Sequence, residues 1–215
     1  MDCLRPIAVG KGEVSSLWTL VTDNTRPCLV YAPGAGAGLS DPFGEYLAGH
    51  LHEHGISLVR FQFPYAERRQ RRPDPPAVLL ATWRAVLQSV GQEYAAVVAS
   101  GRSMGGRIAS MVAAEASPLT GLAVFAYPLQ PPNASGTKRA AHFPDITVPT
   151  LFCSGTRDTF ATPEQLQAAA SAVPNARVHL LQGADHGFNV LKSSGRTREA
   201  VWAEAVDATV NWLGQ

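Results

Sequence analysis

Short apolar runs alternate along the chain with stretches in which apolar positions recur every three or four residues. The runs are Pro27–Ala32, Ile56–Phe63, Tyr94–Ser100, Leu122–Tyr127, Thr150–Ser154 and Val178–Leu181. Runs of this length, mostly apolar, suit strands covered on both faces. Ser16–Thr22 reads as a weaker first strand. Between the runs, Pro42–His54 carries Phe43, Leu47 and Leu51 at spacings of four, and Pro76–Val90 gathers Leu79, Leu80, Trp83 and Leu87 on one face. That is the signature of helices packed along one stripe. Gly105–Ala114, Pro163–Val173 and Thr197–Leu213 are three more helices, the second opening with Pro163 after the N-cap candidate Thr162. Strands and helices in alternation predict an α/β fold. Its sheet is mostly parallel, of about seven strands, with helices on both faces. No linker, repeat or low-complexity tract divides residues 1–215, so the chain reads as a single domain.

In such a sheet ligands bind beyond the carboxyl ends of the strands, so chemistry is sought there. After Tyr94–Ser100 comes Gly101-Arg102-Ser103-Met104-Gly105, a G-x-S-x-G nucleophile elbow in its strand–turn–helix setting. After Thr150–Ser154 comes Gly155-Thr156-Arg157-Asp158, and after Val178–Leu181 comes Gly183-Ala184-Asp185-His186-Gly187-Phe188. Ser103, Asp158 and His186 thus follow the order nucleophile, acid, base. A serine hydroxyl is a weak nucleophile at neutral pH, so a base must take its proton as attack begins. An acid on the far imidazole nitrogen fixes the tautomer and stabilises the imidazolium. Asp158 could instead cap the helix that follows it, and Asp185 is the competing acid.

After Pro27–Ala32 comes Pro33-Gly34-Ala35-Gly36-Ala37-Gly38. Small residues expose backbone N–H groups, which suits an oxyanion hole with Ala35 as one donor and Met104 as the other. A phosphate cradle is the alternative reading, but the segment lacks the Walker lysine and the last glycine of the dinucleotide fingerprint.

These segments, with Arg60-Phe61-Gln62-Phe63-Pro64-Tyr65 and Tyr127-Pro128-Leu129, resemble the small capless α/β-hydrolases of the dienelactone-hydrolase-like group. The resemblance spans about residues 14–214. It is strongest to the subset related to testis-expressed protein 30 and to the hydrolase-like domain of a subunit of the NSL chromatin complex. It implies an α/β-hydrolase fold without a cap domain and a Ser-His-Asp triad. Two departures stand out: Ser103 replaces the cysteine nucleophile of dienelactone hydrolases proper, and Pro33 stands where many relatives have histidine.

Composition narrows the function. A net charge of +1 offers no electrostatic case for nucleic acid. No apolar stretch is long enough for a membrane span. The odd, scattered Cys3, Cys28 and Cys153 argue for free thiols in a reducing compartment, so a cytoplasmic location is expected. No metal or organic cofactor is expected. His50, His52 and His54 fall at a helix end, and Arg68, Arg69, Arg71 and Arg72 form either an anion site or a solvated loop. The connection Pro128–Thr147 is too short for a lid domain, which predicts an open pocket lined by Gly34, Gly36, Tyr65, Tyr127, Leu129 and Phe188. The expected activity is hydrolysis of small carboxylesters, thioesters or lactones through an acyl-Ser103 intermediate. The alternative is a catalytically silent interaction module on the same fold.

Overall fold

The structure, a computed structural model, describes residues 2–23, 25–115, 118–131 and 138–214. Its centre is an eight-stranded sheet in the order β1-β2-β4-β3-β5-β6-β7-β8. The strands are β1 (Asp2–Val9), β2 (Gly12–Thr19), β3 (Cys28–Ala32), β4 (Leu58–Phe61), β5 (Val97–Arg102), β6 (Gly121–Phe125), β7 (Thr150–Gly155) and β8 (Ala176–Leu181). From β4 to β8 all neighbours pair in parallel, while β2 pairs antiparallel with both β1 and β4. β3, β4 and β6 are buried at every position; β3 and β6 are unbroken apolar runs, whereas β4 also buries Arg60.

Helices cover both faces. The longer helices are α1 (Pro42–Glu53), α3 (Pro76–Val90), α4 (Met104–Ala113), α5 (Pro163–Ala170) and α6 (Arg198–Leu213). One core layer joins Leu79 and Trp83 of α3, Ile108 and Val112 of α4 and Leu166 of α5 to one side of the sheet. The other joins Phe43, Leu47 and Leu51 of α1 to Val201, Trp202 and Ala205 of α6. Helix starts follow local rules. Asp41 caps α1 by accepting the Gly44 N–H at 3.2 Å, and Thr162 with Gln165 forms a reciprocal capping box on α5.

The sheet departs from expectation at its first edge. The sequence predicts one weak strand at Ser16–Thr22, but a hairpin, β1 and β2, stands there and raises the strand number to eight. β1 lies at the sheet edge and buries only Ile7, so its pattern carries almost no hydrophobic signal. Pro6 sits in it, as proline can on an edge strand. Gly10, at φ +60°, makes the two-residue turn to Gly12. A second difference is α2 (Pro64–Glu67), a single turn where a loop is expected.

Residues 126–149 connect β6 to β7, and such a length is far below that of a folded domain. Among the described residues this connection holds two single 3₁₀ turns, Lys138–Ala140 and Phe143–Asp145. Part of the connection read as lidless, residues 132–137, lies outside the described residues. Among the described residues no helix is long and apolar enough to cross a membrane.

Backbone contact around β5 is very close. A Cβ at Gly105 would lie 2.2 Å from the Ala32 carbonyl oxygen and 2.5 Å from that of Pro33. We expect Gly105→Ala to destabilise the fold by about 2 kcal/mol or more in urea denaturation, since backbone must shift to admit the methyl. Gly49, exposed in α1 with nothing near its Cβ direction, is the control. Gly49→Ala should stabilise by about 0.5–1 kcal/mol. Thiol reactivity tests the burial pattern. Cys3 is exposed, whereas Cys28 and Cys153 are buried, and burial pushes the Cys28 thiol up to about 12. Ellman's reagent should therefore modify Cys3 in the native protein and reach Cys28 and Cys153 only after unfolding.

Candidate active site

Ser103 follows β5 directly, in the positive-φ conformation φ 50°, ψ −117°. A non-glycine residue there carries roughly 1–3 kcal/mol of backbone strain, so the surroundings must hold it. They do so from both sides. The Ser103 N–H donates to the Phe125 carbonyl at 2.8 Å, and its carbonyl accepts the Arg107 N–H at 2.9 Å to open α4. The turn projects the half-buried Ser103 side chain at the N-terminus of α4, where the helix dipole favours negative charge.

His186 and Asp158 complete a line of hydrogen bonds. His186 Nε2 lies 2.9 Å from Ser103 Oγ, and His186 Nδ1 lies 2.8 Å from Asp158 Oδ2. Asp158 is buried, and its other oxygen accepts the Phe160 N–H at 2.8 Å. Ser154 adds a hydroxyl donor to Oδ2 at 3.4 Å. Asp185, the competing acid, turns to its own loop instead: Oδ1 accepts the N–H groups of Gly187 at 2.8 Å and Asn189 at 2.9 Å. The Phe160 ring packs on the imidazole at 4.4 Å between centroids. The chain therefore brings together the three residues named from sequence, from the ends of β5, β7 and β8.

Arg102 braces this arrangement, a role the sequence reading missed. Its guanidinium donates to the His186 carbonyl at 3.3 Å, sits 5.4 Å from the Phe188 ring centroid and lies 3.8 Å from Asp41 Oδ1. Asp41 in turn accepts the Tyr31 hydroxyl at 2.5 Å. Burial first, and then the neighbouring Asp41 charge, push the Tyr31 pKa well up, so it stays a donor. Arg102 occupies the variable position of the elbow motif, which is why the motif gave no warning of it. Asp41 was legible in principle, because Asp-Pro-Phe is a helix-start signature.

The loop after β3 approaches Ser103. A Cβ at Gly34 would lie 3.6 Å from Ser103 Cβ. Gly34 to Ala37 form a turn closed by the Ala37 N–H to the Gly34 carbonyl at 3.2 Å, with Gly36 at φ +77°. The Gly36 N–H donates to the Tyr65 hydroxyl at 3.2 Å. Among the described residues the Ala35 N–H has no hydrogen-bond partner. The Met104 N–H is one of the unpaired donors at the start of α4.

The expected pocket lining needs correction. Tyr65, Tyr127, Leu129 and Phe188 are 0–1% exposed and belong to the core. Tyr65 faces inward because it carries the Gly36 N–H, and Tyr127 because its hydroxyl donates to the Arg139 carbonyl at 2.6 Å. Phe188 packs between Phe43 and Arg102. Of the named pocket residues, Gly34 and Gly36 reach the surface, and Phe160 is the aromatic the sequence reading overlooked. Arg68 pairs with Asp74 at 2.5 Å, while Arg69, Arg71 and Arg72 are exposed. His50 stacks on Tyr46 at 3.9 Å, and its Nδ1 lies 3.0 Å from the Tyr46 carbonyl, within its own helix. Among the described residues no cluster of three or more His, Cys, Asp or Glu side chains is arranged to hold a metal ion.

Removing the brace should weaken the fold measurably. Arg102→Met deletes a hydrogen bond from a charged group and strands part of the Asp41 charge, so a loss of about 1.5–3 kcal/mol in urea unfolding is expected. A change below about 0.5 kcal/mol would mean that the three contacts of Arg102 carry no net energy.

Comparison with known proteins agrees with the architecture. No curated protein matches the chain. Est1E from Butyrivibrio proteoclasticus superposes with a TM-score of 0.79 at 12% identity, covering 99% of each chain. An alpha-beta serine hydrolase homologue from Coxiella burnetii gives 0.78 at 21% identity, covering 98% of this chain and 96% of that one. A dienelactone hydrolase from Anabaena variabilis gives 0.78 at 17% identity, covering 99% and 96%. At these identities the likeness is one of fold. A family model described as an alpha/beta hydrolase domain matches residues 25–214, and the chain belongs to that family.

Proposed function

We propose that this protein is a serine hydrolase that cleaves small acyl substrates, carboxylesters first among them, through an acyl-Ser103 intermediate. The observation that carries the reading is the unbroken line Ser103 Oγ, His186 Nε2, His186 Nδ1, Asp158 Oδ2, at 2.9 and 2.8 Å. Family membership and the fold likeness to Est1E support it as context. The Phe-Pro-Tyr and Tyr-Pro-Leu segments support the narrower kinship with the dienelactone-hydrolase-like subset near testis-expressed protein 30. Free Cys3, Cys28 and Cys153 support a reducing, cytoplasmic setting.

The chemistry follows from the geometry. Ser103 Oγ attacks the substrate carbonyl while its proton passes to His186 Nε2. Asp158 holds Nδ1 and stabilises the imidazolium. The new oxyanion forms against the N–H groups of Met104 and Ala35, each worth roughly 3–4 kcal/mol if lost. The C–O bond of the ester then breaks, and His186 returns the proton to the leaving alcohol. Water, deprotonated by the same imidazole, releases the acid and regenerates Ser103. The short connection after β6 leaves this edge uncovered among the described residues, which suits short acyl chains.

A fluorophosphonate probe tests the nucleophile directly: the wild type should be labelled and Ser103→Ala should not. A well-folded wild type that resists labelling would instead favour a silent interaction module. Asp158→Asn should lower kcat on p-nitrophenyl acetate on the order of 10⁴-fold. Asp185→Asn, which changes only a loop turn, should lower it by less than about 10-fold, and the reverse order would move the acid to Asp185. p-Nitrophenyl acetate and butyrate should be better substrates than the long-chain palmitate.

A further inference from the structure

The segment Arg60-Phe61-Gln62-Phe63-Pro64-Tyr65 runs from β4 into α2 and touches the loop after β3 at three points. The Tyr65 hydroxyl accepts the Gly36 N–H at 3.2 Å. Gln62 Oε1 accepts the Leu39 N–H at 3.2 Å, and Arg60 Nη1 donates to the Leu39 carbonyl at 3.3 Å. A Cβ at Gly38 would lie 2.5 Å from Gln62 Oε1, so the glutamine lies directly on the loop backbone. All three contacts go to main-chain groups of the loop.

The loop folds as two turns in succession. The Ala37 N–H donates to the Gly34 carbonyl at 3.2 Å, and the Asp41 N–H to the Gly38 carbonyl at 3.1 Å. Tyr65 holds the first turn, and Gln62 with Arg60 holds the second. Ala35 and Gly36 at the tip are exposed, so they have little packing of their own. The groups that hold them are anchored in turn. Arg60 is buried, and its Nη2 pairs with Asp2 Oδ2 at 2.5 Å. The Gln62 N–H donates to the Ser15 carbonyl at 3.3 Å. Tyr65 is fully buried and stacks on Phe63 with 6.2 Å between ring centroids.

Ala35 stands between two fixed points. On one side Gly34 abuts Ser103, 3.6 Å from its Cβ in the direction of a Gly34 Cβ. On the other side Gly36 is tied to Tyr65. We propose that Gln62 and Tyr65 are positioning residues for the oxyanion hole: acting through Leu39 and Gly36, they aim the Ala35 N–H at the place beside Ser103 where the oxyanion forms. The proposal rests on the hydrolase reading for its catalytic half, while the holding of the loop is measurable without turnover. A hydrogen-bond donor accelerates the reaction only when it is aimed at the atom where charge develops, and a misplacement of about 1 Å can cost on the order of 10²-fold. That bond strengthens in the transition state, so its loss is read in kcat rather than in KM.

Tyr65→Phe and Gln62→Met each delete one acceptor and leave the bulk of the side chain. On p-nitrophenyl acetate each should lower kcat about 10-fold or more with KM within about 3-fold of the wild type. Gln62→Glu keeps the acceptor oxygen and should recover most of the loss. Gly38→Ala, which pushes Gln62 off the loop, should resemble Gln62→Met. Arg60 is left unchanged, because its removal would strand Asp2. A short alkyl trifluoromethyl ketone supplies a second reading. Ser103 Oγ bonds to its carbonyl carbon, the serine proton passes to His186, and the ketone oxygen becomes the oxyanion. Its Ki should rise across the variants by the factor by which kcat/KM falls. Amide hydrogen exchange in the Ser103→Ala protein reads the loop alone: Gly36 should exchange faster with Tyr65→Phe added, and Leu39 with Gln62→Met added.

Full kcat in both variants of an active enzyme would overturn the positioning role and leave the hydrolase intact. So would a kcat loss matched by a rise in KM and a fall in Tm, with Gln62→Glu no better than Gln62→Met, since the contacts would then be structural only. A kcat loss without faster exchange would also overturn it, because the two side chains would not be acting through the loop. A wild type inert to esters and to the fluorophosphonate probe, with exchange quickened by both variants, would sink the hydrolase reading and keep the clamp on the loop. Inertness with unchanged exchange would dispose of both.

Discussion

The structure turns on a contact between two stretches of backbone. The start of α4 presses against the end of β3 so closely that Gly105 has no room for a Cβ beside the Ala32 and Pro33 carbonyls. Gly101 is equally confined, 2.7 Å in its Cβ direction from the backbone of Gly105 and Gly106. These glycines set how sharply the chain turns between β5 and α4. That turn in turn sets the conformation of Ser103, and it brings the loop at Gly34 within van der Waals reach of the Ser103 side chain. Ser103 and the candidate oxyanion loop are therefore two sides of one packing contact. The same device recurs under His186: a Cβ at Gly155 would lie 2.1 Å from the Ala184 carbonyl oxygen, holding the Asp158 and His186 loops together.

Most of the parallel sheet could be read from the chain because its strands are buried on both faces. Cys28–Ala32 and Gly121–Phe125 are apolar throughout, and Pro27 and Pro33 bound the first, so burial wrote itself into composition. β1 could not be read that way. At the sheet edge it exposes Leu4 and buries only Ile7, and its pairing with β2 rests on backbone hydrogen bonds that leave no side-chain pattern. The helix starts at Pro42, Pro76 and Pro163 fell where expected, and the largest shift is at the end of α5, Ala170 rather than Val173.

The trio Ser103, Asp158 and His186 was legible for a different reason: strand order forces all three to the same edge once each follows a parallel strand. What the chain did not announce was orientation. Tyr65, Tyr127 and Phe188 follow strands as Ser103, Asp158 and His186 do, yet they turn into the core. Their direction depends on partners distant in sequence: Gly36 for Tyr65, Arg139 for Tyr127 and Phe43 for Phe188. Phe160 was overlooked for the converse reason, since its place over His186 follows from the N–H it gives to Asp158.

Arg102 gives the site a mechanical property. It extends from the residue before Ser103 to the carbonyl of His186, and onward to the cap of α1 through Asp41. The elbow, the histidine loop and the start of α1 thus share one connector, so none of the three can open without breaking a contact of the others. Local unfolding in such a region proceeds as one cooperative unit rather than loop by loop. The carboxyl end of the sheet is in this way withdrawn from the low-stability end where surface loops usually fray.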